Sequence, residues 1–113
     1  MMSSVLFVDD LEDTADSLAD IASALGHRSA VAYSGASALE IAMHDVFDII
    51  FLDLTLPDSD GREICQRLRQ GRCAGARIIA LTGRTELAAA DIDCFDGLLP
   101  KPCCINDLER LLA

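Results

Sequence analysis

Ile49-Ile50-Phe51-Leu52-Asp53 is the stretch on which the fold turns. Apolar residues run without a polar break and then stop at a carboxylate. A strand with one wet face alternates apolar and polar residues. An unbroken run has both faces covered, as in a parallel sheet with helices above and below it. The chain opens in the same way: Val5-Leu6-Phe7-Val8 is apolar and stops at Asp9-Asp10. Ile78 to Leu81 repeats the pattern and ends at Thr82. Arg28 to Ala32 reads as a weaker strand and Phe95 to Leu99 as a fifth.

Between these runs the apolar spacing changes to that of a helix. Leu11, Ala15, Leu18, Ala22 and Leu25 recur at steps of three and four, with Gly26 as a natural stop. Ala38, Leu39, Ala42, Met43 and Val46 mark a second helix. Pro57 and Gly61 punctuate a loop before a third helix on Ile64, Cys65 and Leu68. Glu86 to Ala90 reads as a short fourth helix, since Asp91-Ile92-Asp93 continues it poorly. Ile105, Leu108, Leu111 and Leu112 make a short last one. Strand and helix alternate five times. The pattern predicts an α/β fold with a doubly wound parallel sheet, one domain over residues 1–113. In such sheets ligands bind beyond the carboxyl ends of the strands.

Composition narrows the function. The net charge of −10 disfavours nucleic acid and anionic membranes, which call for a basic surface. It suits a cation or a basic protein patch. Arginines gather between Arg62 and Arg77, as on a solvated helix face. The 5 cysteines form no C-x-x-C pair and no zinc spacing, so ordinary reduced thiols and a cytoplasmic location are expected. The N-terminus has no basic n-region of a signal peptide, and no apolar run approaches a membrane span. His27, after Gly26, is expected in solvent, and His44 faces away from the apolar stripe.

The strand ends carry the chemistry. Asp9 and Asp10 follow the first strand, Asp53 the third, Thr82 the fourth and Lys101 the fifth. If the first strand lies beside the third, three carboxylates meet. Two of them about 5 Å apart repel by roughly 3 kcal/mol at an effective dielectric near 20. Such a cluster needs a cation or raised pKa values. Carboxylates with waters suit Mg²⁺, and a carboxylate beside the ion can attack phosphorus to give an acyl phosphate. Lys101, the only lysine, and Thr82 offer an ammonium and a hydroxyl for the phosphoryl oxygens. Asp9-Asp10 alone could equally be a helix cap; the joint pattern at four strand ends is far more specific.

The segments Val5-Leu6-Phe7-Val8-Asp9-Asp10, Ile49 to Pro57, Gly61, Ala80-Leu81-Thr82-Gly83 and Leu99-Pro100-Lys101-Pro102 resemble the receiver (response-regulator) family of two-component signalling. The resemblance spans essentially the whole chain. It implies a flavodoxin-like (βα)5 sheet of order 2-1-3-4-5. It implies phosphoryl transfer to Asp53 from a histidine kinase or histidine phosphotransfer protein, followed by self-dephosphorylation: a switch, not an enzyme on an outside substrate. It implies Mg²⁺ on Asp10, Asp53 and the Thr55 backbone carbonyl, with Asp9 acting mainly through water. Thr82 would contact the phosphoryl group and Lys101 pair with it, and the Lys101–Pro102 peptide would be cis. Three residues before the lysine the family usually has an aromatic or His; here it is Leu98. The Leu-Thr-Gly, Leu-Pro-Lys-Pro and Gly26-His27 segments resemble receivers fused to hybrid histidine kinases. The phosphorylated state would be read by an unknown downstream protein or an output domain on a longer chain.

Three other readings share parts of the pattern. A pseudo-receiver would dock without phosphorylation. A haloacid-dehalogenase-type phosphatase also uses a strand-end Asp with Mg²⁺, but wants a second acid where Thr55 stands. A flavodoxin-like nucleotide binder would need a phosphate-cradling first loop, where this chain has Asp9-Asp10-Leu11-Glu12-Asp13.

Overall fold

The computed structural model describes residues 3–54, 56, 60–71, 75–82, 94–100 and 105–112. Their elements run β1 (Ser4–Val8), α1 (Glu12–Ala24), β2 (Arg28–Ala32), α2 (Gly35–His44), β3 (Ile49–Asp53), α3 (Gly61–Arg69), β4 (Arg77–Thr82), β5 (Gly97–Pro100) and α4 (Ile105–Leu112). All strand pairs are parallel, in the order β2-β1-β3-β4-β5. The expected helix over 86–90, the Lys101–Pro102 peptide and Cys73, Cys103 and Cys104 lie outside the described residues.

Alternation along the buried strands divides the core in two. Leu6, Val8, Ile50, Leu52 and Ile78 pack with Ala38 and Ala42 of α2 and Ile64, Cys65 and Leu68 of α3. Val5, Phe7, Ile49, Phe51, Ile79 and Leu81 turn to the opposite face, against Leu18 and Ala22 of α1 and Leu108 and Leu112 of α4. Both faces of the sheet are therefore dry, as the unbroken apolar runs require. Phe7 and Phe51 are register partners, and their rings stack with centroids 5.0 Å apart and planes 12° from parallel. Truncating either to Ala would cost about 3–5 kcal/mol.

Helix boundaries differ from the sequence expectation where apolar residues serve as caps. Leu11 is the N-cap of α1 and 58% exposed, and Leu25 is its exposed C-cap. The buried stripe is the narrower Ala15, Leu18 and Ala22. Gly26 then turns the chain with φ of 93°, a left-handed conformation that favours glycine. The second helix starts earlier than expected, capped by Ser34, whose hydroxyl accepts from the Ser37 N–H at 3.1 Å. It ends at His44, so Val46 lies beyond it; Met43 and Val46 are both exposed. β5 begins at Gly97 rather than Phe95, because Phe95 packs against the α2–α3 side of the core. His27 is half-buried and not simply in solvent: its Nδ1 accepts from the Ser3 N–H at 3.1 Å.

Candidate functional site

Parallel strands bring their carboxyl ends to one edge. β1 lies between β2 and β3, with Val8 opposite Leu52. The next residue on each strand is an acid, Asp9 and Asp53. Asp9 extends the ladder, its N–H donating to the Ala32 carbonyl at 3.0 Å. Its carboxylate also accepts from the Leu11 N–H at 3.0 Å, which turns the chain into α1. Helix capping by Asp9-Asp10 is thus only partly realised: α1 is capped at Leu11, with no side-chain cap bond.

Asp9, Asp10 and Asp53 each offer a carboxylate oxygen within 4.8 Å of the other two. Asp9 and Asp53 are buried, while Asp10 stands exposed at the rim. At this separation each pair repels by about 3 kcal/mol for an effective dielectric of about 20, and somewhat less where Asp10 meets water. Among the described residues the cluster offers carboxylate oxygens, hard donors that match Mg²⁺ or Ca²⁺ rather than thiophilic metals. At Asp10 the cluster is open to solvent. The donor set fits a hard divalent ion.

β4 contributes next. Asp53 pairs with Leu81, and the Leu54 N–H donates to the Leu81 carbonyl at 3.1 Å. Thr82 is the last residue of β4 and is buried at the same edge. Pro100 of β5 pairs with Thr82, immediately before Lys101 in the chain. The structure therefore gathers Asp9, Asp10 and Asp53 and sets Thr82 at their edge; Thr55 and Lys101 lie outside the described residues.

The contacts made by two supports were not legible in the sequence. The first is Gly61. It opens α3 directly behind the end of β3, and a Cβ there would sit 2.8 Å from Leu54 Cα and 2.9 Å from the Asp53 carbonyl oxygen. In the sequence Gly61 stands out only as a loop residue and as part of the family resemblance; it follows the capping acid Asp60, whose carboxylate accepts from the Arg62 N–H at 2.9 Å. The Arg62 side chain and N–H together hold the Asp60 carboxyl below its usual range, against a small opposing effect of burial.

The second support lies at the opposite end of the sheet. The Arg69 guanidinium donates to the Ala76 and Cys94 carbonyls, both at 2.9 Å, and to the Asp96 carboxylate at 2.8 Å. Asp96 also accepts from the Ile78 N–H at 2.8 Å. This ties the end of α3 to the starts of β4 and β5. Burial pushes the Asp96 carboxyl upward, but the bonds from Arg69 and Ile78 outweigh it and leave the pKa lowered.

Comparison with known proteins agrees with this geometry. A family profile described as the response regulator receiver domain matches residues 5–113, and the chain belongs to that family. It is 35% identical over 116 residues to response regulator MprA of Mycobacterium tuberculosis, covering 100% of this chain and 49% of that protein. It is 37% identical over 84 residues to response regulator ArlR of Staphylococcus saprophyticus, covering 74% of this chain and 37% of that protein. The chain thus spans about half or less of these relatives' length. Among solved structures, a CheY-like response regulator receiver domain from Methylobacillus flagellatus superposes with a TM-score of 0.92 at 28% identity, covering 99% of this chain and 97% of that one. A Burkholderia pseudomallei response regulator protein with a phosphorylated aspartic acid, calcium ion and citrate gives 0.88 at 27% identity, covering 98% of this chain and 66% of that one.

Proposed function

We propose that the chain is a phosphoacceptor switch of a two-component relay, in which Asp53 takes a phosphoryl group from a phosphohistidine on a kinase or phosphotransfer protein. The observation that carries this reading is the meeting of Asp9, Asp10 and Asp53 at one sheet edge. Asp9, Asp10 and Asp53 would hold Mg²⁺, with the Thr55 carbonyl. Bound Mg²⁺ neutralises the acids and the incoming phosphoryl oxygens. An Asp53 carboxylate oxygen forms the new O–P bond as the donor's N–P bond breaks, and the imidazole leaves with the bonding pair. Burial of Asp53 at the end of a rigid strand fixes its line of attack. The Thr82 hydroxyl and the Lys101 ammonium would then stabilise the phosphoryl oxygens. Water later hydrolyses the acyl phosphate and resets the switch. The aspartyl phosphate of the Burkholderia relative lends support at 27% identity.

The test is incubation with acetyl phosphate and Mg²⁺, followed by intact-mass measurement. One added phosphoryl group is expected, absent in Asp53→Ala and absent when EDTA replaces Mg²⁺. A docking module without phosphorylation is the second reading, favoured by one observation: Leu98 stands 40% exposed where the family usually has an aromatic or His. It predicts no mass gain from any phosphodonor.

A further inference from the structure

We propose that Cys65 and Cys94 form an oxidant-responsive dithiol, joined by a peroxide into a disulfide that staples α3 to the segment leading into β5. The two residues are 29 apart in sequence, yet the Cys65 thiol donates to the Cys94 carbonyl at 3.3 Å. Cys94 packs against the same core cluster that buries Cys65. The Cys94 side chain is near enough to help raise the pKa of the Cys65 thiol, after burial. Both are free.

Exposure sets the order of reaction. Cys65 is fully buried in the α3 face of the core, whereas Cys94 is half-exposed in the loop before β5. Burial, with the neighbouring Cys94 thiol, holds the Cys65 thiol well above its usual range, so it is a poor first target. The Arg69 guanidinium lies against Cys94, bonded to its carbonyl at 2.9 Å, and the half-exposed Cys94 is the thiol that peroxide can reach. Cys94 sulfur attacks the peroxide; its S–O bond forms as the O–O bond breaks, giving a sulfenic acid and one water. Cys65 sulfur then attacks the Cys94 sulfur, the S–O bond breaks, and the departing hydroxide takes the Cys65 proton as a second water. The two sulfurs lose two electrons in all and the peroxide gains them.

The loop closed by this bond contains all of β4, including Thr82. Oxidation would therefore fix one flank of the candidate site without touching an acid of the metal cluster. The inference does not depend on phosphorylation.

The experiment uses the full chain with Cys73, Cys103 and Cys104 replaced by Ser, treated with hydrogen peroxide while folded, alkylated and digested. A Cys65–Cys94 linked peptide, two hydrogens lighter than its parts and split by reductant, is expected from monomeric protein. On the same background Cys65→Ala is expected to accumulate a Cys94 sulfenic acid that dimedone traps. Cys94→Ser is expected to leave Cys65 a free thiol. Circular dichroism reports folding of each variant; should Cys65→Ala not fold, the parent background and Cys94→Ser decide. Absence of the linked peptide while Cys94 oxidises to the sulfinic acid would overturn the proposal. So would oxidation of Cys65 in Cys94→Ser.

Discussion

Replacing Gly61 with Ala tests how tightly α3 is set against the end of β3. The added methyl would sit 2.8 Å from Leu54 Cα and 2.9 Å from the Asp53 carbonyl oxygen. Ordinary contacts at such atoms begin near 3.4 Å, so the 53–54 peptide must give by about half an ångström. Both obstacles are backbone, and no rotamer change relieves them. Overpacking of this kind costs about 1–3 kcal/mol. Removing a glycine from the unfolded chain returns about 0.4–1 kcal/mol. A net loss of about 1–2 kcal/mol is expected. Gly75→Ala is the control, because nothing lies within 4 Å of a Cβ there. Urea unfolding in EDTA should separate the two variants by about 1–3 kcal/mol, because the glycine contribution is common to both. Since the clash falls on Asp53 itself, Mg²⁺ titration should also show weaker binding in Gly61→Ala alone. Equal stability and equal affinity in the two variants would refute the argument that this glycine is required by close approach.

Further outcomes follow from other contacts. Asp10→Ala should abolish tight Mg²⁺ binding while the fold survives, as read by calorimetry and circular dichroism, because Asp10 is exposed at the rim of the cluster. Tyr33 is the sole tyrosine and Trp is absent, so phenolate absorbance reports this residue alone. Its hydroxyl donates to the Asp16 carboxylate at 2.6 Å; that bond, with burial and the charges of Asp16 and Glu12, raises its pKa to about 12. The stabilising contribution is complete below about pH 10 and lost as pH rises through about 12, and Asp16→Asn should return the titration toward 10. The lowered pKa of Asp96 has the opposite sign. Its contribution is present above about pH 4 and lost as pH falls through the folded value, so the stability gap between the wild type and Asp96→Asn should close in acid.

The strands were legible because burial on both faces leaves no polar residue to interrupt them, as in Ile49 to Leu52 and Val5 to Val8. The strand order was legible only through family resemblance, since nothing local in β1 dictates that it lies between β2 and β3. The acids were legible as a set because each ends a strand. Leu11 and Leu25 misled because helical spacing continues into the caps, where the same residues face water. Phe95 misled because an aromatic beside a strand can belong to the core without belonging to the sheet. The Arg69–Asp96–Ile78 bonds join residues far apart in sequence, while Gly61 meets backbone a short way before it, and no periodicity encodes either.

The placement of β1 between β2 and β3 has a consequence for biosynthesis. β1 is an interior strand, and its second neighbour, β3, is translated only after α1, β2 and α2. A nascent chain cannot seat Asp9 and Asp10 beside Asp53 until β3 has cleared the ribosome. The three acids therefore meet only once β3 has docked, and a chain arrested before β3 lacks the cluster.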